Sequence, residues 1–68
     1  MRLRDWIHGR RIRLVKVSEL VGVTPGYMSR IKEGHVLPSL PVALRIRDVT
    51  GGEVSPDDLL AAYKERQG

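Results

Sequence analysis

The sequence predicts an all-α fold, a compact bundle of about five short helices in one small domain. Apolar residues recur at the three- and four-residue spacings of amphipathic helices. Serine and threonine residues mark where several of these segments begin, and glycine residues mark where they end. No stretch alternates strictly enough for us to assign a strand.

The first predicted helix begins near Leu3 and ends between residues 9 and 11. The positions that share one face of it are Leu3, Trp6, Ile7 and Arg10. We expect Trp6 to lie in the core, because a large aromatic side chain on the apolar face of a helix is normally buried.

The second predicted helix has a composition that would also suit a strand. The segment RIRLVKVSELVG is rich in β-branched residues and partly alternates. Leu14, Val17 and Val21, however, follow the i, i+3, i+7 spacing of one helix face. We therefore expect a helix over residues 14–21 that ends at Gly22.

The other three predicted helices begin at clear capping signals. Thr24, followed by proline, starts a third helix over residues 25–33. Ser39 starts a fourth over residues 40–49, and Ser55 starts a fifth over about residues 56–65. Expected core positions of the fourth helix are Val42, Ala43, Leu44, Ile46 and Val49. Two carboxylates follow Ser55, where the positive end of the helix dipole favours them.

Positive charge is concentrated at the start of the chain. Residues 1–16 hold six basic side chains and one acidic one, whereas residues 17–68 hold six basic and seven acidic. These sums, +5 and −1, give the net charge of +4. A basic end indicates a polyanionic partner, although arginine is also a common surface residue, so both interpretations stay open.

Composition argues against several classes of protein. The chain has no cysteine, which excludes disulfides, zinc–thiolate sites and thiol catalysis. His8 and His35 are isolated from other metal-ligating residues, so we expect no metal and no cofactor. Asp57 and Asp58 resemble a catalytic pair, but helix capping explains both, and we expect no enzyme. No apolar run approaches the roughly 20 residues of a membrane span or follows the basic start as in a signal peptide.

The second and third predicted helices are joined by only three residues, so they must cross steeply. A helix-turn-helix needs apolar side chains inside that crossing, a small residue at its closest approach, and a turn residue that accepts a left-handed conformation. This segment supplies all three. The expected helix-turn-helix core is Val17, Ser18, Val21, Gly22, Val23, Met28 and Ile31.

The segment SELVGVTPGYMSRIKEG resembles the helix-turn-helix of the lambdoid-phage Cro and repressor family, whose wording is close to A-x-x-L-G-V-S-x-x-x-I-S-x-I-x-x-G. The tail PSLPVALRIRDVTGGEVSPDDLL is similar to the YdaS/Cro-like members, with a TGG-type break before an S-P-x-D-L cap. The likeness covers residues 3–60. It implies a lambda repressor-like DNA-binding domain with the helix-turn-helix at about 14–33. We expect this single domain to span residues 1–68, with disorder only in the last few residues.

The chain departs from the family pattern at three places. Arg13 and Leu14 stand where a hydroxyl cap and a glutamine are usual, and Ser18 replaces alanine. Pro25 and Gly26 occupy positions that often hold polar base-contacting residues in relatives. This last departure places the expected base contacts further along the recognition helix.

The side chains expected to contact bases are Ser29 and Arg30. They point outward if Met28 and Ile31 point inward. An arginine binds guanine through two hydrogen bonds, and the resemblance places both residues at base-contacting positions. Residues expected at or near the DNA backbone are Arg10, Arg11, Arg13, Thr24, Pro25, Gly26, Tyr27, Lys32, Glu33 and His35. Tyr27 is equally compatible with packing on the core.

These features predict a sequence-specific transcriptional regulator, a Cro-like repressor of phage or prophage origin in the cytoplasm of a bacterial host cell. The small size of the chain and the resemblance, rather than any motif, imply a homodimer on a pseudo-palindromic duplex operator, with half-sites about one helical turn, roughly 34 Å, apart. The final helix offers either a dimer surface or the last core layer, at Leu59, Leu60, Ala62 and Tyr63. The alternative function is an antitoxin-type module that binds a toxin, with or without DNA.

Overall fold

The computed structural model describes all 68 residues, Met1 to Gly68, and contains five α-helices and no β-strand. The helices are α1 (Leu3–Arg10), α2 (Leu14–Val21), α3 (Pro25–Glu33), α4 (Leu40–Val49) and α5 (Pro56–Gln67). The all-α prediction is confirmed, including for the segment whose composition also suited a strand. Helix α5 extends past the predicted end near residue 65, because no glycine or proline interrupts it before Gly68.

Three helices end at a residue in the left-handed conformation. The φ angle is 88° at Gly22, 81° at Gly34 and 54° at Arg11. Glycine accepts this conformation without strain, whereas an L-residue with a Cβ pays about 1–2 kcal/mol for it. Arg11 is the one non-glycine residue with a positive φ, and α1 ends at Arg10, within the predicted range of residues 9–11.

The helix N-termini are capped unequally. The Thr24 side chain accepts a hydrogen bond from the Tyr27 N–H at 3.1 Å, and Ser55 forms a capping box with Asp58. Ser39 occupies the N-cap position of α4, but its side chain makes no capping hydrogen bond, contrary to our expectation. Proline at the second helical position explains part of this difference, because Pro41 has no N–H to donate to the serine.

A single core joins all five helices and the loop before α5. Its members are Leu3, Trp6, Val17, Val21, Met28, Ile31, Val42, Ala43, Ile46, Val54 and Leu59. Trp6 is buried as predicted, whereas Leu44 and Val49 of the expected α4 core are only half-buried. Thr50 is buried at the end of α4, where its hydroxyl bonds the Ile46 carbonyl at 2.9 Å and accepts from Val54 N–H at 3.1 Å.

Helix α3 contacts α1, α2 and α5, so one side of it is packed along its length. Its end lies especially close to α5. A Cβ built on Gly34 would be 2.6 Å from the carbonyl oxygen of Ala62. Glycine is therefore required at this position both by its φ angle and by the neighbouring backbone.

Candidate nucleic-acid interface

The crossing of α2 and α3 contains the apolar side chains that the sequence predicted for it. Met28 is fully buried, and Val17, Val21 and Ile31 are at most 2% exposed. Val23, in the turn, is half-buried and packs against the core. This packing fixes which side of α3 points inward and which side meets solvent.

Ser18 closes the connection between the two helices. Its carbonyl accepts hydrogen bonds from the N–H groups of Gly22 and Val23, at 2.8 and 3.0 Å. Its hydroxyl is fully buried and donates to the Leu14 carbonyl at 2.6 Å. Ser18 is thus accommodated without an unpaired polar group, since a buried hydroxyl needs a partner.

The outward face of α3 presents one arginine and very little apolar surface. Arg30 is exposed and has no ion-pair partner within 4.0 Å, while Gly26 is exposed and Ser29 and Glu33 are half-buried. A Cβ on Gly26 would meet no other atom within 4 Å, so the surface there is open. The predicted base-contacting pair therefore lies on one accessible face.

The residues of α3 and its ends that we expect at the DNA backbone differ in how far they are buried. Tyr27 is half-buried and packs against the core, which agrees with the packing interpretation of its ring. Lys32 is half-buried and lies 3.5 Å from a carboxylate oxygen of Glu33. Thr24, Pro25 and His35 are exposed.

The three arginines at and after the end of α1 do not share one environment. Arg11 and Arg13 are exposed and have no carboxylate within 4.0 Å. Arg10 instead binds Glu53 at 2.6 Å, and its guanidinium lies 5.7 Å from the centre of the Trp6 ring. We expected all three near DNA phosphates, but the structure engages Arg10 with the loop before α5.

The Glu53 carboxylate connects α1 to the α4–α5 loop. It accepts hydrogen bonds from Arg10 and, at 2.8 Å, from the indole Nε1–H of Trp6. These two donors, the arginine first, lower the pKa of Glu53. The sequence held no sign of this contact, because the partners are 43 and 47 residues apart.

Asp58 forms a second connection between the chain ends. Its carboxylate accepts from the Met1 amino group and from the Ser55 N–H, each at 2.9 Å. The amino group is the largest cause of the lowered pKa of Asp58, followed by the Ser55 backbone hydrogen bond. Arg2 also pairs with Glu65, so the start of the chain is attached to α5 at two points.

An apolar groove that the sequence reasoning missed lies between the start of α4 and α5. Its volume is about 320 Å³, and its lining includes Leu37, Leu40 and Leu60. Leu40 is 65% exposed and Leu37 is 44% exposed. Of the residues left open by the sequence, Leu59 is core, whereas Leu60, Ala62 and Tyr63 are half-buried. Leu37 lies outside any helix, so helical periodicity did not mark it.

No group of three or more histidine, aspartate or glutamate side chains lies together in a way that would hold a metal ion. None of the five helices has the length and apolar character needed to cross a bilayer. Comparison with protein-family models, curated proteins and solved structures gave no match.

Proposed function

We propose that the protein is a sequence-specific double-stranded DNA-binding regulator of transcription, a Cro-like repressor in which α2 and α3 form a helix-turn-helix. One observation carries this proposal. The α2–α3 crossing buries Val17, Val21, Met28 and Ile31 around a three-residue connection, and it leaves an accessible α3 face with an unpaired arginine. That combination is what a helix inserted into a DNA groove requires.

The dimensions of α3 suit the major groove of B-DNA. A helix with its side chains is about 10–12 Å across, and the major groove is about 12 Å wide. Arg30 donates two hydrogen bonds to a guanine edge, and Ser29 bonds a neighbouring base or phosphate. Gly26, which lacks a side chain, lets the tip of α3 approach the groove wall closely.

Backbone phosphates position the protein on the duplex. Arg11, Arg13 and Lys32 supply cationic contacts beside α3. At the start of α3 the Gly26 N–H adds one further donor, because Pro25 has no N–H and the Tyr27 N–H is bonded to the Thr24 side chain. The net charge of +4 favours the approach to DNA. We leave Arg10 out of this set because its guanidinium binds Glu53 at 2.6 Å.

The proposal includes a symmetric homodimer. We place the dimer contact at the α4–α5 groove and assign a second copy of the chain as its occupant. Leucines exposed at 44% and 65% line this groove, and Asp57 is the one charged residue in its lining. Such a surface favours an apolar, self-complementary contact over a charged partner.

The same apolar groove supports the alternative function, an antitoxin-type module that binds a toxin. Substitutions at Leu60 and Tyr63 separate the two cases. Loss of self-association together with weaker operator binding supports the homodimer, whereas loss of a toxin partner with unchanged DNA binding and unchanged oligomeric state supports the antitoxin.

Equilibrium binding to duplex DNA over a range of salt concentrations tests the proposal. Each neutralised phosphate releases counterions, so the logarithm of the association constant should fall linearly with the logarithm of salt concentration. The expected slope corresponds to several phosphate contacts. An affinity that does not respond to salt would contradict the electrostatic part of the proposal.

A further inference from the structure

A groove of about 780 Å³ lies between α1 and α3, beside the face of α3 assigned to DNA. Ile7 and Ile12 are the two hydrophobic residues among the seven that line it. Pockets for small organic ligands are mostly apolar, so this lining does not suit such a ligand. It suits a charged, hydrated group.

The lining carries an excess of positive charge. Arg4, His8, Arg11 and Lys32 face Asp5, the single acidic residue of the groove, which gives +2 with the histidine neutral. Arg4 and Arg11 have no carboxylate within 4.0 Å, although Arg2, Arg10 and Arg47 of the same chain are all paired. Arg4 and Arg11 are therefore available to an anion from outside, whereas Lys32 lies 3.5 Å from a carboxylate oxygen of Glu33.

The left-handed backbone conformation of Arg11 is a second, independent indication that its side chain has a role. Helices α2 and α3 use glycine for their left-handed ends, but α1 uses Arg11, with φ at 54°. Glycine would satisfy that turn with less strain. What arginine adds at this position is a cationic side chain in the lining of the groove, and strained residues of this kind cluster at functional sites.

The position of the groove identifies the anion. A helix lying in the major groove has a phosphate strand on each side of it, because helix and groove have nearly the same width. Lys32 stands on the side of α3 that faces α1, since it lines the groove together with Arg4 and Arg11. A phosphate strand on that side would run on the same side of α3 as the groove.

We propose that the α1–α3 groove is a DNA-backbone site, in which Arg4, His8, Arg11 and Lys32 hold consecutive phosphates of the strand next to α3. This inference rests on the proposed function and adds Arg4 and His8 of α1 to the DNA-binding surface. The contacts are to phosphate oxygens, so they raise affinity for any duplex and leave sequence preference unchanged.

The double substitution R4Q/R11Q tests the site, with R47Q/K64Q as a control that removes the same charge from exposed positions outside the groove. Each lost phosphate contact should lower the magnitude of the salt slope by about 0.9 and the affinity at 0.15 M salt by about fivefold. We expect the double variant to lose both phosphate contacts on operator and random duplexes alike. The control should show less than half of that reduction in salt slope and in affinity. Equal losses in the two variants would overturn the groove as a site.

The single substitution Arg11→Gly separates binding from folding. Glycine relieves the left-handed strain, so the melting temperature should stay the same or rise while DNA affinity falls about fivefold. A variant that melts higher and binds DNA as tightly as the original protein would contradict the proposal.

Inorganic phosphate is a second probe. Saturable shifts of the Arg11 and Lys32 amide resonances with phosphate alone, together with undiminished DNA binding by R4Q/R11Q, would assign the groove to a free anion.

The outcomes for the two proposals differ. Binding to random duplex without sequence preference, with a reduced slope in R4Q/R11Q, would retain the groove site and remove the sequence-specific regulator. Sequence-specific binding by the original protein, with an unchanged slope in R4Q/R11Q, would retain the sequence-specific regulator and remove the groove site. No binding of the original protein to any duplex would overturn both.

Discussion

Two glycines of the α3 segment illustrate how strongly single positions differ in what they tolerate. Gly34 has a φ of 81°, and a Cβ there would be 2.6 Å from the Ala62 carbonyl oxygen. Gly26 is helical, and a Cβ there would meet no other atom within 4 Å. One glycine is therefore required by the fold, and the other is not.

Gly34→Ala should lower the free energy of unfolding by about 2 kcal/mol or more, because strain and a backbone clash add. Gly26→Ala is the matched control and should raise it by up to about 1 kcal/mol, since alanine favours the helix. Urea denaturation measures both. The control also tests the close approach of α3 to DNA: unchanged operator affinity in Gly26→Ala would contradict a role for the missing side chain.

Arg30 is the residue on which sequence preference should depend. Arg30→Ala should weaken operator binding by about 1–3 kcal/mol more than it weakens binding to random duplex. Arg47→Ala removes the same charge from an exposed position on α4 and should leave the ratio of the two affinities unchanged. Fluorescence anisotropy with both duplexes measures the ratio. Equal losses on both duplexes for Arg30→Ala would make Arg30 a phosphate contact.

Glu53 should make stability depend on pH in the acidic range. Its pKa is lowered in the folded protein by Arg10 and Trp6, so the unfolded chain takes up a proton first as the pH falls. The stabilisation is therefore complete above the ordinary glutamate pKa of about 4.3 and is lost as the pH falls through the lower folded value.

The comparison of Glu53→Gln with the unaltered protein isolates this contribution. The difference between their melting temperatures should be largest near neutral pH and should shrink below about pH 4, where the original carboxylate becomes protonated. A difference that stays constant down to about pH 2 would show that the charge of Glu53 does not stabilise the fold.

At the scale of helices, local sequence signals predicted the five elements well. Thr24 and Ser55 are N-caps in the structure, and Gly22 and Gly34 end their helices as expected. These signals act within one helical turn, so they can be recognised from neighbouring residues alone. The end of α5 was placed too early because no comparable signal stands there.

Contacts between distant segments could not be predicted in this way. Three such contacts join parts of the chain that are 28 to 57 residues apart. They are the contact of Glu53 with Trp6 and Arg10, the pairing of Met1 with Asp58, and the close approach of Gly34 to Ala62. For the candidate site, helical spacing placed Ser29 and Arg30 on one accessible face. It did not reveal that Arg10 is occupied by Glu53, or that Arg4 and His8 of α1 share a groove with Lys32 of α3.

The two serine caps allow a direct test at the level of helices. Ser55→Ala removes the side chain that accepts from the Asp58 N–H, which is one of the two hydrogen bonds of the α5 capping box, and should cost about 0.5–2 kcal/mol of folding free energy. Ser39→Ala is its control. Because the Ser39 side chain makes no capping hydrogen bond, this substitution should cost only a few tenths of a kcal/mol. Urea denaturation compares the two. Equal losses would mean that the hydrogen bonds of Ser55 do not account for its effect.

For the whole molecule, size and charge distribution determine how it would meet DNA. The chain measures 29 × 21 × 21 Å, so two copies in contact have their centres about one molecular width apart. With α3 displaced from each centre, such a dimer is compatible with half-sites roughly 34 Å apart. The basic groove then lies beside each copy of α3, and the apolar α4–α5 groove remains for the dimer contact.

The central claim is that α3 contacts DNA in a sequence-specific manner, and selection of bound sequences from a random duplex pool tests it most directly. We predict an enriched, pseudo-palindromic site with half-sites about 10 base pairs apart, containing a guanine whose enrichment disappears in a parallel selection with Arg30→Ala. A pool that stays random after repeated selection, or an enriched motif that Arg30→Ala selects unchanged, would contradict it.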